Sequence, residues 1–69
     1  MNKIRERGII TKINKGGLFS VKLPDLNHTV VCQPSGRIRI KKVHLCLGDD
    51  VDVEITPYDL DKGRIVWRH

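Results

Sequence analysis

The sequence predicts an all-β fold: five short strands curled into a small barrel, with a short helical or irregular segment between the third and the fourth. Three observations carry this. No stretch sustains a helical periodicity. Runs of β-branched or alternating apolar residues follow one another at strand length. Glycine, proline, asparagine or aspartate punctuates them every several residues. The 69 residues make a single domain, 1–69, and a chain this short buries only about 60% of the surface its unfolded form exposes. Closure suits such a thin core, because it removes sheet edges that would otherwise pair with other molecules.

Gly8 to Asn14 is β-branched and reads as the first strand, and the paired glycines of Lys15-Gly16-Gly17 mark a hairpin after it. Phe19, Val21 and Leu23 then alternate with Ser20 and Lys22, the pattern of a half-buried strand with Phe19 on its inner face. Pro24-Asp25-Leu26-Asn27 breaks it. His28 to Cys32 is a third strand, closed by Pro34-Ser35-Gly36. The next segment, Arg37 to Leu47, is less regular, and its basic first part fits either an exposed strand or a short helical turn.

Gly48-Asp49 opens the clearest strand, with Val51, Val53 and Ile55 inward and Asp50, Asp52 and Glu54 outward into solvent. Pro57 ends it, and Tyr58 to Gly63 reads as a loop. Arg64 to Arg68 supplies the last strand, in which Trp67, two residues from Ile65, is expected in the core. Five strands with an insert after the third match an OB-fold, and an SH3-like barrel has a similar strand census. One apolar face per strand leaves no leftover apolar patch, so a monomer is expected.

Charge is the most informative part of the composition. The net charge is +5, unevenly spread. Residues 1–48 carry ten Lys and Arg against Glu6 and Asp25, a net of +8, whereas residues 49–69 carry three against six acids, a net of −3. Such segregation points to one face for a polyanion and another for solvent or a protein partner. The densest positive segment holds Arg37, Arg39, Lys41, Lys42 and His44, with no acid to balance it. Arg offers a planar fork to phosphate oxygens and Lys a mobile point charge. With Phe19 and Trp67 assigned inward, Tyr58 alone is left as an exposed ring, too little for the stacking platform that single-strand binders use. Folded RNA, read through backbone and shape, fits better.

Catalysis has no cast: Ser20 and Ser35 lack a nucleophile-elbow context, and no Gly-rich phosphate loop appears. No enzyme and no cofactor are expected. His28, Cys32, His44 and Cys46 lack the short-knuckle spacing of a zinc site, and the acidic row faces solvent, so no metal is expected either. The two cysteines read as reduced, buried thiols. The charged start leads into no apolar run of the roughly 7–15 residues of a secretory signal or the roughly 20 of a membrane span, which makes the cytoplasm the expected compartment, with no membrane partner.

The run from Leu47 to Arg68 resembles bacterial translation initiation factor one. That family carries a Gly-Asp-x-Val opening, met by Gly48-Asp49-Asp50-Val51, and a Thr-Pro-Tyr-Asp-Leu-x-Lys-Gly-Arg-Ile run, met by Thr56 to Ile65. Upstream, Ser35-Gly36-Arg37-Ile38-Arg39 is similar to its Ser-Gly-Lys-Met-Arg, and Gly8 and Phe19 fall at its spacing. The resemblance implies an OB-fold monomer of the S1-like RNA-binding class that docks in the aminoacyl site of the small (30S) ribosomal subunit. There it would contact ribosomal RNA and a neighbouring ribosomal protein and support initiation factors two and three. By the same resemblance the RNA contacts would fall on Arg37, Arg39, Lys41 and His44 of the basic loop, and on Tyr58, Lys62, Arg64 and Arg68 of the last loop and strand. The chain departs from the pattern at Lys42, where the family usually has Tyr, at Gln33-Pro34, where it has His-Ile, and by one extra residue between Leu23 and Val30. A general RNA-binding OB-fold chaperone is the rival reading.

Overall fold

The computed structural model describes residues 3–69. Five strands, β1 (Ile4–Asn14), β2 (Leu18–Leu23), β3 (His28–Pro34), β4 (Asp50–Thr56) and β5 (Asp59–Arg68), close into one barrel in the order β1-β2-β3-β5-β4. One short helix, α1 (Gly36–Ile40), lies between β3 and β4, as the OB reading of the sequence expects. All neighbours are antiparallel except β3 and β5, which run parallel from Val31↔Lys62 to Pro34↔Ile65. A parallel pair needs a long crossover, and α1, the following loop and β4 together provide it.

β1 begins at Ile4, well before the β-branched run at Gly8, because Ile4 to Ile9 pair with β4 from Ile55 back to Asp50. The same strand then pairs with β2 from Ile9 to Asn14, so one long strand serves two neighbours and closes the barrel. It passes close over β2 at Gly8: a Cβ there would lie 2.6 Å from both the Lys22 carbonyl oxygen and Val21 Cγ1. Only a residue without a side chain fits. Beyond Asn14 the chain reverses through Gly16 and Gly17, both at positive φ (78° and 74°).

Ile10, Val21, Leu23, Val30, Cys32, Val51, Val53, Ile55 and Ile65 form the buried core, with Ile4, Phe19 and Leu45 packed against it at partial exposure. Phe19 is therefore a rim residue. Of the two thiols only Cys32 is buried; Cys46 is exposed and both are free. Apolar side chains also remain outside, notably Ile40 at the end of α1, 82% exposed, and Leu47, 62% exposed.

The C-terminal hairpin differs from the sequence expectation in two ways. Its turn is Pro57-Tyr58 alone, flanked by the Thr56↔Asp59 pair, and residues 60–62 bulge from β4 before pairing resumes at Ile55↔Gly63. Trp67 is not a core residue: it is 49% exposed. Val53 pairs with Ile65 and Asp52 with Trp67, so Val66 is an extra residue on β5. Such a bulge turns the following side chain to the other face, and Trp67 joins Asp52 outside while Ile65 stays inside.

Candidate nucleic-acid interface

The basic segment is held at one end of the barrel by its first residues. Ser35 caps α1 by accepting from the Ile38 N–H at 3.3 Å through its hydroxyl. Its own N–H donates to the Ile65 carbonyl at 2.8 Å, tying the helix start to β5. Ile38, 5% exposed, is the one buried residue of the helix, and Arg37, Arg39, Ile40 and Lys41 all remain exposed. The helix stops through a Schellman arrangement: Val43 N–H donates to the Ile38 carbonyl at 3.2 Å and Lys42 N–H to that of Arg39 at 3.1 Å. Lys42 takes the left-handed position at φ 53°, a place usually given to glycine or asparagine.

Lys62 and Arg64 lie on the outer wall of β5, one beside Val31 and the other beside Gln33 of β3, the strand that leads directly into α1. Their inward neighbours are Gly63 and Ile65. A Cβ on Gly63 would come within 2.9 Å of Ile55 Cγ2 and 3.2 Å of Cys32 Sγ, so that side of the strand is core. The two cations thus continue the basic segment down one wall. A shallow cleft on this wall is lined by Lys3, Gln33, Lys62 and Arg64 together with Thr56 and the acids Glu54 and Asp59. Lys3 and Gln33 were not legible as part of a site, since only strand pairing brings positions so distant in sequence together.

Tyr58 stands away from α1 but next to the cleft of Lys62 and Arg64, whose lining includes Thr56 and Asp59, the residues that flank its turn. It is 90% exposed, in the turn that closes the opposite end of the barrel; the run of β4 from Val51 to Thr56 separates the two ends by roughly 17 Å. Arg68 stands at the α1 end, and its guanidinium donates from Nη1 to the His44 carbonyl at 2.7 Å.

Two of the acids on β4 are engaged by cations of β1, whereas Glu54 and Asp59 line the same cleft as Lys62 and Arg64. Arg5 reaches Asp52 at 3.0 Å, Arg7 reaches Asp50 at 3.1 Å, and His69 Nε2 lies 2.8 Å from the other oxygen of Asp52. The outward acidic row expected to face solvent is therefore partly covered, Asp52 to 17% side-chain exposure. Partial burial works to raise the Asp52 pKa, but hydrogen bonds from His69 and Arg5 outweigh it and hold the carboxyl below its ordinary value. Among the described residues, Arg37, Arg39, Lys41, Lys42, Lys62 and Arg64 make no ion pair. The sequence from Leu26 to Gly48 contains no acid.

His28, Cys32, His44 and Cys46 do not converge: Cys32 sits in the core, and Cys46 lies exposed on the loop after α1. Among the described residues no group of three or more His, Cys, Asp or Glu side chains is placed to hold a metal ion. No helix is long and apolar enough to cross a membrane.

Residues 2–69 match the family described as "Translation initiation factor 1A / IF-1". The chain is 42% identical over 67 residues to a protein named translation initiation factor IF-1 from Ureaplasma parvum, covering 97% of this chain and 89% of that one. It is 42% identical over 66 residues to the protein of the same name from Rickettsia akari, covering 96% and 92%. Among solved structures, its fold superposes on translation initiation factor one of the Wolbachia endosymbiont of Brugia malayi with a TM-score of 0.79 and 36% identity, over 97% of this chain and 78% of that one. YjeQ from Thermotoga maritima matches with a TM-score of 0.77 over 96% of this chain and 23% of its own, at 23% identity, a likeness of fold alone.

Proposed function

The chain belongs to the translation initiation factor 1A / IF-1 family, and from that membership we propose that it works by binding, with no chemistry of its own. It docks on the small ribosomal subunit at the aminoacyl site, in the cytoplasm, contacting ribosomal RNA and a neighbouring ribosomal protein. From there it supports initiation factors two and three.

One observation carries the reading: exposed cations without ion-pair partners among the described residues, Lys62 and Arg64 on β5 beside β3 and Arg37, Arg39, Lys41 and Lys42 at the α1 end to which β3 leads. Unpaired cations on a rigid wall neutralise phosphates at little cost in lost internal contacts, and each phosphate engaged releases counterions. His44 lies within the same surface, Arg68 belongs to it through the loop it touches, and Tyr58 would meet the ribosomal site beside the cleft of Lys62 and Arg64.

The test is a salt titration of binding to purified small subunits. Log affinity should fall steeply with log salt, at about −0.7 to −0.9 per phosphate contact. Arg37→Ala/Arg39→Ala should weaken binding and flatten the slope by roughly 1.5 units, while its melting temperature barely moves, since exposed charges contribute little to folding. An unchanged slope and affinity would place the RNA-binding face elsewhere.

The exposed ring of Trp67 favours one second reading, a general RNA-binding chaperone, because an outward indole can stack on an unpaired base. That reading predicts comparable affinity for unstructured RNA and for subunits. Strong preference for free small subunits would dismiss it.

A further inference from the structure

We propose that Arg68 is a positioning residue: it shapes the loop that presents Lys41, Lys42 and His44, and does not itself neutralise a phosphate. The inference rests on the ribosomal reading above and gives one of its residues a different role.

β5 outruns its neighbour at this end. The last pair between β3 and β5 is Pro34↔Ile65, whereas β5 continues along β4 to Arg68, opposite Val51. From there Arg68 Nη1 donates to the His44 carbonyl across 2.7 Å. The loop is tied on either side of that point. Before it, Val43 N–H donates to the Ile38 carbonyl. After it, Cys46 N–H donates to Asp49 Oδ2 at 2.8 Å, and Gly48 N–H to the Ile10 carbonyl at 2.8 Å. Between them, among the described residues, the Arg68 guanidinium is the hydrogen-bond partner of the main chain at His44–Leu45, and Leu45 adds its packing against the core.

The helix cap sets Lys42 at its left-handed φ of 53°, and the tether at His44, two residues on, fixes the path the loop takes from there. Arg68 directs Nη1 at a main-chain carbonyl of its own chain, whereas Lys41 and Lys42, the cations of the segment it holds, make no ion pair among the described residues.

Replacing Arg68 by citrulline separates the two roles, because the urea keeps the planar shape and one terminal NH2 able to donate to the His44 carbonyl, exchanges the other for a carbonyl oxygen and loses the charge. The full chain can be assembled by ligating residues 1–45, as a thioester, to a synthetic 46–69 peptide through Cys46. Wild type, Arg68→Ala and the citrulline protein are compared by amide hydrogen exchange and by salt titration of small-subunit binding. In Arg68→Ala, exchange at residues 43–46 should rise about tenfold while core amides stay protected, and subunit affinity should fall. The citrulline protein should recover loop protection, affinity and the full salt slope. A citrulline protein with a protected loop but a slope shallower by about 0.7–0.9 would make Arg68 a phosphate contact and overturn the proposal. Unchanged loop exchange in Arg68→Ala would overturn it as well. Should the wild type itself not bind subunits, the ribosomal reading fails, and the exchange comparison still decides whether Arg68 holds the loop.

Discussion

Trp67 lies directly across the β4–β5 ladder from Asp52, on the outer face of the barrel. Its indole is half exposed, whereas Ile65, on the other side of the bulged Val66, is fully buried. Removing the two side chains should therefore have unequal effects. Ile65→Ala empties part of a close-packed core and should cost about 2–5 kcal/mol, enough to unfold much of a small domain. Trp67→Ala should leave a folded protein, with a loss of about 1 kcal/mol. Urea denaturation checks both, and acrylamide should quench the native tryptophan fluorescence readily.

Gly8 lies where β1 passes close over β2. A methyl group there would meet the Lys22 carbonyl and the Val21 and Leu23 side chains at 2.6–2.8 Å. Backbone cannot yield as a flexible side-chain tip can. Gly8→Ala should destabilise by about 1–3 kcal/mol as an overpacked core does, despite the gain expected from a stiffer unfolded chain. The melting midpoint should fall well below that of Gly36→Ala, where nothing lies near the added carbon.

The two thiols should behave oppositely. Burial pushes the Cys32 thiol up from 9.0 to about 12, so it stays protonated and shielded, while Cys46 is exposed. A thiol-reactive probe at neutral pH should modify Cys46 quickly in the native protein and Cys32 only after unfolding. The raised value also has a pH consequence. Above pH 9.0 the unfolded chain gives up this proton and the folded chain keeps it, so stability should decline as pH rises there. Cys32→Val should remove that part of the decline.

Asp52 works at the acid end. Its carboxyl is held below 3.8 by His69 and Arg5 against the opposing effect of partial burial. The unfolded chain therefore binds this proton more readily than the folded one. The stabilisation is fully present above pH 3.8 and is lost as pH falls through the folded value. Asp52→Asn should lower stability at neutral pH and flatten the acid limb of a plot of denaturation midpoint against pH.

The strand alternations and the turns were legible because they are local. Val51, Val53 and Ile55 are inward, as period-two spacing requires, and Gly16-Gly17 turns the first hairpin at positive φ. The basic segment from Arg37 was legible as charge, and its short helix as one of two alternatives. What the sequence alone determined is the barrel, its core strands and the chemical character of its charged surface, since a strand's two faces follow from the geometry of its own chain. The tertiary structure decided the rest. A bulge at Val66 depends on what β4 offers opposite, and it sends Trp67 outside. The pairing of β1 with β4 sets Arg5 and Arg7 against Asp52 and Asp50, which offsets those charges and leaves the cations of the α1 segment without ion-pair partners among the described residues. The parallel β3–β5 contact sets Lys62 and Arg64 beside the strand that leads to Arg37, and the tight Pro57-Tyr58 turn holds Tyr58 at the end of the barrel away from α1. Each of these depends on a partner distant in the chain, and no pattern within a single strand encodes which partner that will be.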